Sequence, residues 1–177
     1  LRKHSERIKE RFRIYQVLQK NNVPSKILNI PSDENLNKEQ IFEKLRSALS
    51  AVVFPCKSPD EKIVAENMDD FIKAISSLGT KKNSQKPLLL NKPSPTVLSL
   101  PDDFVHPWEP RTMTVREMAR LQTFPDNFEF RSKETTGSHR RRFEVPQYTQ
   151  VGNAVPPVMA HAVGARLKQL IEQANFH

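Results

Sequence analysis

Apolar residues recur at three- and four-residue spacing in three stretches of the first eighty residues, and that spacing predicts helices. Over residues 5–20, Ile8, Phe12, Tyr15 and Leu18 share one face and Ser5 is placed to cap the start. Arg7, Lys9, Arg11 and Arg13 occupy the other faces, and prolines at 24 and 31 hold the following connection extended. A second helix is predicted from about 37 to 53. Ile41, Phe42, Leu45, Leu49 and Val52 form its stripe, Asn37 and Gln40 a capping pair, and Pro55 the stop. A third is predicted from Ser58, with Pro59 in the first turn and Glu61 closing a capping box. Ile63, Val64, Met68, Phe71, Ile72, Ile75 and Leu78 supply its apolar face, and Gly79 sits where a left-handed terminator belongs.

The pattern then changes. Residues 80–86 are polar and basic, as in a linker, and Thr96–Leu100 alternates and is β-branched, which predicts a short strand. Phe104–His106 is a second candidate strand. A compact helix is predicted from Thr114 to about Gln122, with Thr114 as cap, Glu117 closing the box and Pro125 just past the end. Residues 131–146 read as irregular and basic. The last helix is expected from Pro156 or Pro157 to about Gln173, with Val158, Met159, Ala162, Val163, Leu167 and Leu170 on one face. The expected class is α+β, mostly helical with short strands. Residues 1–80 form a helical part, 81–110 a linker with the strands, and 111–177 the final part.

Composition narrows the chemistry. Four glycines stand against fourteen prolines in 177 residues, so the chain has no glycine-rich loop to wrap a nucleotide or cofactor. The net charge of +8 suits a polyanion such as nucleic acid or an acidic membrane surface, and equally a solvated basic surface. No stretch approaches the roughly 18 apolar residues that span a bilayer, and no signal-peptide pattern opens the chain. Cys56 is the only cysteine, which excludes an internal disulfide and a cysteine-rich zinc site; no metal site is expected, and an intracellular setting fits. A start at Leu1, directly in helix-like sequence, is what a piece of a longer protein would show.

Two segments carry chemistry of their own. In Arg111–Asp126, Thr114 and Glu117 satisfy each other's backbone amides at a helix start, and Arg116 and Arg120 project from one face to anchor a neighbouring loop or a phosphate. In Gln150–Pro157, Gly152 allows close backbone approach, and Asn153 offers a donor and acceptors. Read alone, the first could be a brace and the second an ordinary turn feeding a helix. As an ordered pair they closely resemble the ninth and tenth motifs of the DNA cytosine-5 methyltransferases, collinear over roughly residues 93–165.

That resemblance implies a small recognition lobe with short strands, and a C-terminal helix that packs on a Rossmann-like catalytic domain outside this chain. It implies that Asn153, Ala154 and Val155 line part of an S-adenosylmethionine pocket. Arg111, Thr114, Arg116 and Arg120 would brace the lobe or touch DNA. Arg140, Arg141 and Arg142, set among Lys133, Thr135, Thr136, Ser138 and His139, suit contact with a phosphate backbone or a solvated loop. The basic face of the first helix has the same two readings. The implied partners are duplex DNA, read by roughly residues 20–110, and an N-terminal catalytic half in cis or in trans.

Catalysis in that family needs a cysteine thiolate that attacks carbon 6 of cytosine, a nearby glutamate and a glycine-rich cofactor loop. Pro55-Cys56 and Glu66-Asn67 resemble the Pro-Cys and Glu-Asn pairs of the family. Lys57 stands where glutamine is expected, however, the pairs lie too close together, and Glu66 falls inside the predicted third helix. No catalytic residue is therefore expected in this chain, which alone should be inactive. The competing reading is a non-catalytic DNA-binding module that retains the motifs; an RNA-directed enzyme is disfavoured, since that class lacks this ending.

Overall fold

The computed structural model describes residues 3–82, 85–100, 104–136, 140 and 143–174. The chain divides into two compact units, Leu1–Pro93 with Asp102–Thr112 and Ser94–Pro101 with Met113–His177. The class is α+β, mostly helical with two small two-stranded sheets. No helix among the described residues is long and apolar enough to cross a membrane.

The first unit is built around α1 (Glu6–Lys20), whose Phe12, Ile14, Tyr15, Val17 and Leu18 are buried. The connection expected to be extended is instead a 3-10 segment, Ser25–Ser32, with Pro31 inside it; it leads to α2 (Lys38–Ala48), which starts with the reciprocal Asn37–Gln40 capping box expected from sequence. This helix ends at Ala48 rather than near 53. Leu49 and Val52 still enter the core, through a turn in which the Val52 amide donates to the Leu49 carbonyl at 2.9 Å.

The predicted third helix needs correction. Residues 56–65 form an antiparallel hairpin, β1 (Cys56–Lys57) and β2 (Ile63–Ala65), and only Met68–Leu78 is helical (α3). The Ser58–Glu61 capping box is absent. Ser58 Oγ instead bonds to an Asp60 carboxylate oxygen at 2.5 Å and to the Lys62 carbonyl at 3.1 Å, and Glu61 has φ 61°. Periodicity cannot separate a short β-branched run such as Ile63-Val64 from a helical turn. Asn67 is the true cap, its side chain accepting from the Asp70 amide at 3.0 Å. Gly79 is extended (φ −47°, ψ 149°), not left-handed. What its position limits is space: a Cβ there would lie 3.1 Å from the Pro31 side chain.

Three of the four basic side chains named on α1 are engaged within the unit. Arg7 and Arg11 donate to the carbonyls of Ser77 and Leu78 at 3.0 and 2.9 Å, closing the C-terminal end of α3. Arg13 is buried and forks onto Asp60 at 2.9 and 2.8 Å. The unit is completed by β3 (Lys86–Pro87) and β4 (Phe104–Val105), paired in parallel, with Val105 also bridging to Thr112.

The second unit contains α4 (Val115–Leu121), α5 (Gln147–Asn153) and α6 (Pro157–Ala174). The α4 capping box is formed as the sequence predicts. Thr96–Leu100 is not a strand: Val97 is buried and its neighbours are not, but no ladder partner lies beside it among the described residues. Its backbone lies against α5 instead. Helix α5 is an element the sequence reading did not foresee, held by the buried Tyr148 and Val151.

Candidate functional site

Helix α4 is fixed at its start by Thr114, whose Oγ1 accepts from the Glu117 amide at 3.2 Å while the Glu117 carboxylate accepts from the Thr114 amide at 2.8 Å. Arg116 donates to the carbonyls of Phe128 and Pro125 at 2.6 and 3.3 Å, and its guanidinium lies 5.9 Å from the Phe130 ring centre. Arg120 forks onto Asp126 at 2.8 and 3.0 Å, which holds the Asp126 carboxyl below the usual carboxylate range. Phe124, Phe128 and Phe130 stack around one another with ring centres 4.9–5.0 Å apart. Both arginines therefore fold residues 124–130 back onto α4. Arg111 lies in the first unit, where it pairs with Glu109 at 3.1 Å and donates to the Thr112 carbonyl at 3.2 Å. It lines a cavity of about 590 Å³ together with Lys3, His4, Lys9, Arg13, Glu109 and Pro110.

The turn between α5 and α6 is built by close approach. An ideal Cβ on Gly152 would lie 2.6 Å from the backbone of Leu98 and Ser99, so only glycine lets that segment pass. Thr149 donates to the Ser99 carbonyl at 3.4 Å, and the buried Tyr148 hydroxyl donates to the Met113 carbonyl at 2.7 Å. Asn153 is the last residue of α5, so it ends a helix rather than opening one. Asn153 and Val155 are exposed and Ala154 is half-buried. Beyond the turn, α6 has no buried residue at all, and Val158, Met159, Val163, Leu167, Leu170 and Ile171 are 44–64% exposed.

Two residues around this turn were missed in the sequence. Gln122 donates to the carbonyls of Val151 and Ala154 at 3.2 and 3.4 Å, and the Thr123 hydroxyl accepts from the Val158 amide at 3.1 Å. Contacts across 29 to 35 residues leave no local signature. Gln147 and Gln150 were missed likewise. Gln147 donates to the carbonyls of Phe130 and Ser132 at 3.0 and 2.8 Å, and Gln150 to those of Arg131 and Val145, both at 2.8 Å. They pin the stems of the basic loop. Arg140 in that loop is exposed; Arg141 and Arg142, with Ser138 and His139, lie outside the described residues.

The pairs Pro55-Cys56 and Glu66-Asn67 are placed by the hairpin. Cys56 is buried in β1, and burial pushes its thiol up, away from the thiolate. Glu66 sits between β2 and the cap of α3, not inside a helix as the sequence suggested.

A model of the family described as C-5 cytosine-specific DNA methylase matches residues 3–169. The chain belongs to that family. The chain is 41% identical over 104 residues to the type II methyltransferase M.DdeI of Desulfomicrobium norvegicum, covering 58% of the chain and 24% of that relative. It is 48% identical over 81 residues to M.AquIB of Picosynechococcus, covering 45% of the chain and 58% of the relative. A longer alignment, 151 residues at 30% identity, pairs it with M.Eco47II of Escherichia coli, covering 81% of the chain and 33% of the relative. The chain thus spans between about a quarter and somewhat over half the length of these relatives. No solved structure matches it.

Proposed function

We propose that this chain is the C-terminal, target-recognition portion of a DNA cytosine-5 methyltransferase, and that a catalytic half, in cis or in trans, supplies the nucleophile and most of the S-adenosylmethionine site. One observation carries the reading. The turn Asn153–Val155, with Asn153 and Val155 exposed, is held by Gln122 and Thr123 at the head of a helix whose apolar face is left exposed among the described residues. A helix of 18 residues with no buried side chain is a surface shaped for a partner.

The turn fits one wall of a methyl-donor pocket. The Asn153 amide offers a donor and an acceptor, and Val155 offers an apolar contact, with no carboxylate of the turn to compete. Bound there, S-adenosylmethionine would supply the methyl group. Asn153 would orient it by hydrogen bonding and Val155 would exclude water from its side. Cys56, buried and with its thiol pushed up by that burial, takes no part. Arg111, Thr114, Arg116 and Arg120 act as braces of the recognition part, while Arg140 and the neighbouring Arg141 and Arg142 meet the DNA backbone from the pinned loop. The charge of +8 favours such a partner, and extruding a cytosine from the duplex requires a grip on the flanking backbone. M.AquIB lends further support: since 81 residues are 58% of it, it is about 140 residues long, so a methyltransferase of this group can itself be a short polypeptide.

The test is tritiated methyl transfer to duplex DNA by this chain together with a matching catalytic half. Activity is expected only for the pair. Asn153→Ala is expected to raise the KM for S-adenosylmethionine about five- to tenfold, as loss of one hydrogen bond does, and an unchanged KM removes Asn153 from the site.

A further inference from the structure

We infer that Gln122 and Thr123 are positioning residues that set the methyl-donor turn from the end of α4, an inference that rests on the reading of Asn153–Val155 as a pocket wall. The end of α4 has a defined geometry. The Phe124 amide donates to the Ala119 carbonyl and the Thr123 amide to the Arg120 carbonyl, both at 2.9 Å, and Thr123 has φ 63°. These paired bonds terminate a helix through a left-handed residue, a position that favours glycine and disfavours a β-branched side chain. Threonine is thus the strained choice here, and it is exposed, so packing does not explain it.

Its hydroxyl does. Pro156 and Pro157 have no amide hydrogen, so the first free amide of α6 is that of Val158, and Thr123 accepts from it at 3.1 Å. One residue earlier, the Gln122 amide nitrogen reaches the carbonyls of Val151 and Ala154 at 3.2 and 3.4 Å. Two consecutive residues therefore hold the chain before the turn, within it and after it. Asn153 and Val155, both exposed, lie between the points of this grip. Backbone strain retained beside such a grip is expected where geometry matters more than local stability.

The test uses the assembled methyltransferase, this chain with its catalytic half. Thr123→Gly removes the hydroxyl and relieves the strain together, so stability and positioning move in opposite directions. The expected result is a thermal midpoint equal to or above wild type, a KM for S-adenosylmethionine raised three- to tenfold, and a KM for duplex DNA within twofold of wild type. Thr123→Ser, which keeps the hydroxyl, restores the cofactor KM. Gln122→Met, matched in length but without donors, acts in the same direction as Thr123→Gly. An unchanged cofactor KM in Thr123→Gly, or an equal rise for both substrates, overturns the inference. Asn153→Ala measured in parallel separates the two levels. If it raises the cofactor KM while Thr123→Gly and Gln122→Met do not, positioning alone falls; if it too has no effect, the pocket wall falls with it.

Discussion

Arg13 shows how much a single side chain can hold. Its guanidinium is almost fully buried in the first unit and forks onto Asp60, which also accepts from Ser58. Burial pushes the Asp60 carboxyl up, but the bonds from Arg13 and Ser58 outweigh it and leave the carboxyl below the usual range. A depressed carboxylate contributes stability that is present above its unfolded value, near 4, and lost as pH falls through the folded value. The first unit should therefore lose stability below about pH 4, and Asp60→Asn should flatten that acid limb in urea titrations across pH. At neutral pH, Asp60→Ala should cost about 2 kcal/mol, because it strands a mostly buried cation; a cost near zero would mean that Arg13 finds water instead. Nothing in the sequence announced this pair. Arg13 reads from sequence as one more charge on a basic helix face, and Asp60 falls in the part of the predicted third helix that is a hairpin in the structure.

Among the elements, legibility follows the length of the periodic signal and the strength of the caps. Helices α1, α2, α4 and α6 carry three-to-four spacing, and α2 and α4 add capping boxes that form as expected. The hairpin at residues 56–65 was hidden because its β-branched run is short and continues into the true helix, α3. Helix α5 was hidden because seven residues containing threonine, glycine and asparagine have little helical preference of their own. Tertiary contacts make it. Its docking on the Leu98–Ser99 backbone predicts that Gly152→Ala destabilises the second unit by about 2 kcal/mol or more, as overpacking does, seen as an earlier urea midpoint. The bare face of α6 predicts the converse. Leu167→Asp should leave the isolated chain as stable as before, since that side chain is 55% exposed, yet abolish co-elution with the catalytic half on gel filtration. Destabilisation of the isolated chain by that change would mean α6 packs on its own unit.

For the whole molecule, membership of the cytosine-5 methylase family and the buried state of its one cysteine point the same way. If the Asn153–Val155 turn is one wall of a shared pocket, as proposed, a chain that covers only part of its relatives should be unable to close that pocket around a small ligand by itself. Calorimetric titration of S-adenosylmethionine into the isolated chain, and then into its complex with the catalytic half, measures this directly. No heat of binding for the chain alone and a saturable site in the complex is the expected outcome; tight, stoichiometric binding by the chain alone would contradict the account.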